Sequence, residues 1–477
     1  MTLRTLASYA APARARLLLA AFTLALGGCT TFSADRGFAP VEQAAQQRLG
    51  KSLAWPRSDA ERDGVAARVT ELLAKPLGAD DAVQIALLNN RGLQAAFHDI
   101  GISEADVVQA GRLPNPGLSF GRFTRGSELE INRGIHFNLA RLLSLPLQQA
   151  LEQRRLAQTQ GEVTLRMLGL AFDTRKAYVN AVAAGEGVRY MLQVKQAAEA
   201  GAELARRMAQ VGNWSKLQQA REQAFQADAA LGLVRAEQHQ VMARERLTRL
   251  MGLWGEQTNF KLPERLPDLP AAVDDLPDIE QRAMAQRLDV QAAKAGAEQL
   301  AKNLGLTRTT RFVNVLELGA VRNSANFEPT QRGYEVSFEL PLFDWGGARV
   351  AKAESIYLQA LDRAAETAIS ARSQVREAYL GYRSGYDIAR HYRDEIVPLK
   401  KRIADENVLR YNGMLIGVFE LLADARSQIA SVNAAIEALR DFWVAQADLE
   451  MALIGTPSMN AMPSAGMAAP EAAAPAH

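Results

Sequence analysis

The chain contains two copies of one unit. Asp81-Ala-Val-Gln84, with Leu93-Gln-Ala-Ala96 behind it, returns 197 residues later as Asp278-Ile-Glu-Gln281 with Val290-Gln-Ala-Ala293. Arg133-Gly134-Ile135 returns after 199 residues as Arg332-Gly333-Tyr334, and Arg175-Lys-Ala-Tyr178 after 201 as Arg376-Glu-Ala-Tyr379. Matches in one order with a slowly drifting offset imply duplication of a structural unit. A proline-rich linker holding Pro263, Pro267, Pro270 and Pro277 separates the copies.

Both copies have the same layout. In the first, Asp81 to Ala110 has a helical pattern that Pro114-Asn115-Pro116 breaks, and Gly117 to Arg125 and Gly134 to Leu142 have the look of strands. A long stretch without proline then runs from Leu147 to Leu262. In the second, Asp278 to Thr307 is expected to be helical, Phe312 to Asn323 and Gly333 to Leu340 to be strands, and helix to resume after Pro341 with an interruption near Gly413. Gln148 to Gln210 and Ala348 to Arg410 are each 63 residues long. A helix of that length reaches roughly 95 Å, three times the thickness of a bilayer core. Each copy thus has room for one long helix beside two stacked shorter ones.

The last strand has the sharpest pattern. Tyr334, Val336, Phe338 and Leu340 alternate with Glu335, Ser337 and Glu339, giving one apolar and one polar face. A strand between lipid and water needs this alternation, and so does a half-buried strand of a globular sheet. Leu422, Ile429, Ile436 and Trp443 recur every seven residues, with Ala425, Val432 and Leu439 between them. That period suits a left-handed coiled coil, and over so short a run it also suits an ordinary core-facing helix.

The chain's beginning has the order of an export signal. Arg4, Arg14 and Arg16 precede the apolar stretch Leu17 to Leu26, which ends in Leu26-Gly27-Gly28-Cys29. This resembles a bacterial lipobox, whose cysteine accepts a diacylglyceryl group and then fatty acid such as palmitate. Cys29 is the lone cysteine, so the chain forms no internal disulfide. The alternative is a signal peptide that ends near an incidental cysteine. Thr30 after the cysteine, where inner-membrane lipoproteins usually carry Asp, implies sorting to the outer membrane. Beyond this segment the sequence has no apolar run of the length a membrane-spanning helix needs, so any crossing by the mature chain must be made by strands. Thr30 to Pro76 is expected to be an extended tether with a short helix.

Composition narrows the function classes. With 55 Lys and Arg against 53 Asp and Glu, the net charge of +2 offers no basic excess for nucleic acid and no acidic tail. Aromatic residues are 6%, which goes with long helices. No GxxxxGK[ST], HExxH, CxxC or GxSxG motif is present. His98, His136, His239, His391 and His477 are scattered, so the sequence indicates no metal cluster, no cofactor and no enzyme. Met459, Met462, Met467 and His477 lie in the Ala/Pro-rich tail; they suit soft copper, while the composition suits disorder.

Three further stretches carry a family resemblance. Asn89-Asn90 with Leu93 opens a segment that ends at Leu113-Pro114-Asn115-Pro116. Phe338-Glu-Leu-Pro341-Leu-Phe343-Asp344-Trp-Gly346-Gly347 turns strand into helix, and Tyr411-Asn-Gly413 precedes Glu420-Leu421-Leu422. In this order, behind a lipobox and in two copies, they resemble the TolC-like outer-membrane efflux proteins from Asp81 to about Pro457.

The resemblance implies a mainly α chain with a small β part. Its duplicated long helical hairpins would form an α-barrel, and its four strands would join those of two other copies in a twelve-stranded β-barrel. The domains are then a signal peptide (1–28), a lipidated tether (29–80), repeat one (81–253), a linker (254–277), repeat two (278–457) and a disordered tail (458–477). Implied partners are a periplasmic adaptor, an inner-membrane pump and outer-membrane lipid of a Gram-negative cell. The tip of the second copy corresponds to the channel entrance, marked by Tyr411, by Glu420 at the family's acidic position, and by Asp424 beside the second such position, which is Ala423. Glu420 is equally readable as a solvated acid at a helix start. The first copy's tip, Val211 to Ser215, is followed by Lys216. The stretch from Asn89 to Pro116 looks somewhat like heavy-metal export channels. The competing function is a periplasmic coiled-coil adaptor lipoprotein, which accounts for Cys29 and the helices but not for duplicated strand hairpins.

Overall fold

The structure, a computed structural model, describes residues 31–310, 316–338 and 342–456. Cys29, Leu340, Pro341 and the methionine-containing tail lie outside the described residues. The chain is mostly helical with one small antiparallel sheet, the class the sequence implied. It divides into two units, one formed by residues 1–50, 92–164 and 292–365, the other by residues 51–91, 165–291 and 366–477.

The elements, in chain order, begin with α1 (Ala39–Leu49), α2 (Asp59–Leu73), α3 (Ala79–Asn89) and α4 (Arg91–Ala110). The first hairpin, β1 (Gly117–Arg125) and β2 (Glu128–Asn138), leads to α5 (Leu139–Gln210) and α6 (Lys216–Met251). The second copy repeats this order with α7 (Ile279–Gln286), α8 (Leu288–Thr310), β3 (Leu316–Ala325), β4 (Gln331–Phe338), α9 (Gly347–His391), α10 (Val397–Asn412) and α11 (Val418–Ala452). The segment expected to be an extended tether with a short helix holds two helices, α1 and α2; Ser58 caps α2 by accepting from the Glu61 N–H.

Element boundaries differ from the sequence reading where side chains reach the backbone. The strand expected to run to Leu142 stops at Asn138, whose Oδ1 accepts from the Arg141 N–H at 2.7 Å and starts α5 there. That helix then passes through Pro146 for 72 residues. The helix expected from Asp81 to Ala110 is broken at Asn90, which takes extended backbone (ψ 116°) between α3 and α4. In the second copy the break falls at Arg287 (ψ 123°), 197 residues on. Between α9 and α10 lies one π turn, Tyr392–Ile396, and Pro398 follows as the second residue of α10. Proline has no N–H for the helical ladder and its ring crowds the carbonyl four residues back, and a wider turn relieves both.

In the unit containing residues 51–91, two apolar clusters fill the core. One joins Val69, Leu72, Ile85 and Ala86 to Ala177, Val182, Leu247 and Met251. The other joins Ile279 and Ala283 to Val375, Tyr382, Phe442 and Leu449. Leu439 and Trp443 pack against both. The seven-residue stripe of α11 is only half-buried, and the helix buries Ala438, Phe442, Ala447 and Leu449 among others instead. Tyr382 stacks on Phe442 with ring centroids 5.6 Å apart. In the other unit, Phe38 packs edge-on against Phe97 at 4.8 Å, and the buried Glu104 accepts from both the N–H and the hydroxyl of Ser33.

Candidate membrane sheet and channel entrance

The sheet runs β1-β2-β3-β4, every pair antiparallel, with both outer edges open. Side chains opposite one another in an antiparallel pair share a face, so the register sorts the residues. Leu118, Ile135, Ala320 and Tyr334 form one row; Phe137, Leu318 and Val336 the next; Leu316 and Phe338 the row after. All lie on one face. Tyr334 is 82% exposed, Phe338 63% and Leu118 80%, so nothing among the described residues covers an apolar surface spanning four strands.

The opposite face is mostly polar, with Phe123 and Val321 as its large apolar members. Gly117, His136, Gly319 and Glu335 form one of its rows, Asn138, Glu317 and Ser337 another, and Glu128 and Glu130 lie beyond. His136 lies across its neighbours: its Nε2 is 2.8 Å from Ser119 Oγ, and a Cβ at Gly319 would fall 2.7 Å from its Nδ1. The glycines make room for the ring. Asn326 ties the two hairpins together, accepting from the Leu129 N–H at 2.9 Å and donating to the Ser127 carbonyl at 2.8 Å.

The tips belong to the unit containing residues 51–91. In the first copy α5 ends in a turn whose Gly212 has a left-handed φ of 81°, with Gly212 N–H donating to Ala209 O and Asn213 N–H to Met208 O. In the second copy Met414 N–H donates to Tyr411 O and Leu415 N–H to Arg410 O. The geometry is the same, a Schellman turn, but the left-handed residue is Met414 (φ 59°), while Gly413 has φ −80°. Past the turn, Ser215 and Gln218 form a reciprocal capping box at the start of α6. Their counterparts are Gly417, which offers no side-chain cap, and Glu420, exposed in the first turn of α11.

The residues that the sequence assigns to an entrance all lie on α10 and α11 beside this turn. Tyr411 lies in the last turn of α10 and Glu420 in the first turn of α11, and Asp424 accepts from the buried Asn407 side chain. Two turns from Glu420, Arg426 pairs with the buried Glu222 of α6 and stacks 4.4 Å from the Phe225 ring centre, a link between the copies that sequence reading missed. Val211, Leu217, Met414 and Leu415 leave large apolar side chains exposed at the tips.

A buried ion cluster lies in the same unit. The Lys176 ammonium, 3% exposed, reaches Asp448 at 2.8 Å and Asp173 at 3.3 Å. Burial pushes the Asp448 carboxyl above its ordinary range, against the Lys176 hydrogen bond and charge that pull it down. A hollow of about 300 Å³ beside the cluster is lined by Leu165, Phe172, Lys176, Met451 and Thr456. Among the described residues no group of His, Cys, Asp and Glu is arranged to hold a metal ion, and no helix is long and apolar enough to cross a membrane.

Against known proteins, no protein-family model matches the chain. It is 26% identical over 289 residues to the cobalt-zinc-cadmium resistance protein CzcC of Cupriavidus metallidurans, covering 57% of this chain and 64% of that protein. The match therefore spans less than two thirds of the relative's length. The outer-membrane channel CmeC of Campylobacter jejuni superposes with a TM-score of 0.62 at 16% identity, covering 86% of this chain and 91% of that one. The outer-membrane protein VceC of Vibrio cholerae superposes with a TM-score of 0.65 at 14% identity, covering 79% and 96%. The chain has the fold of the TolC-like outer-membrane channels.

Proposed function

We propose that the chain is the outer-membrane channel of a tripartite efflux system, a passive conduit anchored by lipid at Cys29. The observation that carries this reading is a four-stranded sheet with an uncovered apolar face, a polar face and two open edges. Open edges are not tolerated in lipid, so four strands cannot stand there alone. Three copies joined edge to edge give about twelve strands, within the range of closed outer-membrane barrels. The polar face then lines the lumen and the apolar face meets lipid. The likeness to solved outer-membrane channels supports the same reading.

Energy would come from an inner-membrane pump reached through a periplasmic adaptor, which the exposed apolar tips around Met414 and Leu415 suit as a docking surface. Tyr411, Glu420 and Asp424 then border the entrance. The favoured cargo is a divalent heavy metal, on the strength of the likeness to a cobalt-zinc-cadmium resistance protein. A periplasmic adaptor does not account for the open-edged sheet.

Heat-modifiable trimers in outer-membrane fractions test the channel; a monomer confined to the soluble periplasmic fraction would overturn it. Sensitivity of a deletion strain to cobalt, zinc and cadmium, compared with dyes and antibiotics, tests the cargo. Mass spectrometry of the mature N-terminus tests Cys29: an acylated cysteine is expected there.

A further inference from the structure

The repeated Arg-Gly pair leaves a charge pattern that the conduit itself does not use. Arg133 stands directly opposite Arg322 on the next strand, and Arg322 directly opposite Arg332 on the one after. With Phe120 at the far end, they form one row across all four strands. The row belongs to the apolar face, one step from Leu118, Ile135, Ala320 and Tyr334, and Arg122 follows in the next row. The strand glutamates, Glu128, Glu130, Glu317 and Glu335, all belong to the other face. Like charges directly opposite each other across strands repel. All three arginines are exposed, and among the described residues none has an ion-pair partner. A hollow of about 520 Å³ lies over the row, walled by the three arginines with Leu118, Phe120 and Ile135.

We infer that this row binds the phosphate groups of membrane lipid in the leaflet nearest the hairpin turns. The inference rests on the channel reading, which sets the apolar face in a bilayer. The charge is complementary, since guanidinium groups hold phosphate through paired N–H donors. The depth is suitable too. Arg332 lies six residues from Phe338, about 20 Å along the strand, so the row sits at one margin of the apolar band with Tyr334 beside it. Aromatic and basic residues collect at that level of a membrane, where headgroups begin. The turns lie at the end of the sheet away from the start of α5, so the row faces the leaflet away from that helix.

The test has two arms on the full-length protein. In the first, detergent-solubilised protein is titrated with lipid A, phosphatidylglycerol or phosphatidylcholine, and retained lipid is counted by native mass spectrometry. The phosphate-rich lipid A or the anionic phosphatidylglycerol is expected to be retained over zwitterionic phosphatidylcholine. That preference should fall roughly fivefold per arginine in the series R133Q, R322Q, R332Q. The triple lysine variant should keep part of it, which separates lost charge from lost folding. In the second arm, the same proteins are inserted into phosphatidylcholine vesicles and the sheet is probed by protease protection. Failure to insert overturns the channel reading and this inference with it. Normal insertion with no lipid preference, or with equal preference in the triple glutamine variant, overturns the inference alone.

Discussion

Arg287 stands where Asn90 stands in the first copy, and each side chain donates to a carbonyl at the end of its own copy's last helix. Asn90 Nδ2 reaches Leu250 O at 2.9 Å, and Arg287 Nη1 reaches Ala452 O at 3.1 Å. Asn89 adds bonds to Met251 O and Gly252 O, and a Cβ at the left-handed Gly252 would come within 2.7 Å of Asn89 O. The break in each paired helix is thus the cost of capping another helix's C-terminus. Arg287 is 1% exposed and also binds Asp289 and Gln374, so Arg287→Ala removes the cation from a partly buried carboxylate that keeps only its bonds from Thr456 and the Val290 N–H. Thermal unfolding in detergent followed by circular dichroism should show a loss of about 3–5 kcal/mol. Asn90→Ala should cost about 1–3 kcal/mol.

The Arg287–Asp289 pair should also appear in acid. Burial alone would raise the Asp289 carboxyl, but the hydrogen bonds and charge of Arg287 and the Thr456 hydroxyl outweigh it and hold it below the usual carboxylate range. A depressed folded-state pKa gives stability that is present above the unfolded value, about 3.9, and lost as pH falls through the lower folded value. The gap in melting temperature between the wild type and Asp289→Asn should be flat from pH 5 to pH 8 and close only below about pH 4. A gap that persists unchanged to the acid limit would assign the effect to packing.

Met414 keeps a left-handed backbone that its first-copy counterpart, Gly212, adopts without strain. Met414→Gly removes that strain and adds unfolded-chain entropy, for a net gain of roughly 0.5–1 kcal/mol. Slower amide exchange at Leu415 and Ile416 is the expected readout. Faster exchange would mean that the Met414 side chain holds the turn by contacts of its own.

Two readings of Glu420 can be separated. As the proposed entrance acid it would act through charge, and as the third residue of α11 it would act through the helix terminus. Glu420→Gln removes the charge but keeps an acceptor, reproducing Gln218 of the first copy. In single-channel recordings, both Glu420→Gln and Glu420→Ala should weaken cation selectivity with the trimer intact. Unchanged selectivity in both variants leaves only the helix-start role.

Val336 and Ser337 test the faces of β4, since one shares the apolar rows and the other lies opposite Glu317. Val336→Arg should reduce the stability of the inserted state by about 2–4 kcal/mol at mid-depth, and Ser337→Arg far less. Urea titration of vesicle-inserted protein would measure both. Equal tolerance would place β4 in water.

The duplication, the helix-and-hairpin order and the alternation of Tyr334, Val336 and Phe338 were legible because they are periodic, and periodicity survives in a single sequence. What was not legible depends on partners distant along the chain. Asn90 and Arg287 sit within unbroken helical patterns, and only their bonds to Leu250 and Ala452 explain why the backbone turns there. Asn138 was legible in principle as an N-cap, but the apolar residues after it continued the strand pattern. The arginine row needed the cross-strand register, which no single strand contains. Of the site, the face of β4 could be drawn from the residues alone, whereas Asp424's bond to Asn407 and Arg426's pairing with Glu222 could not.

The π turn between α9 and α10 coincides with a difference in length between the two copies. Arg175 and Arg376 are 201 residues apart, but Gly212 and Met414, which hold the same place in their turns, are 202 apart. The second copy is therefore one residue longer between these points, and Tyr392–Ile396 lies in that interval. A residue inserted into a regular helix would rotate everything beyond it by about 100° and swing the tip away from its neighbours. Taken up in a single widened turn, it leaves both flanks in register. A widened turn of this kind absorbs a one-residue difference in length locally, so that the two halves keep their common architecture.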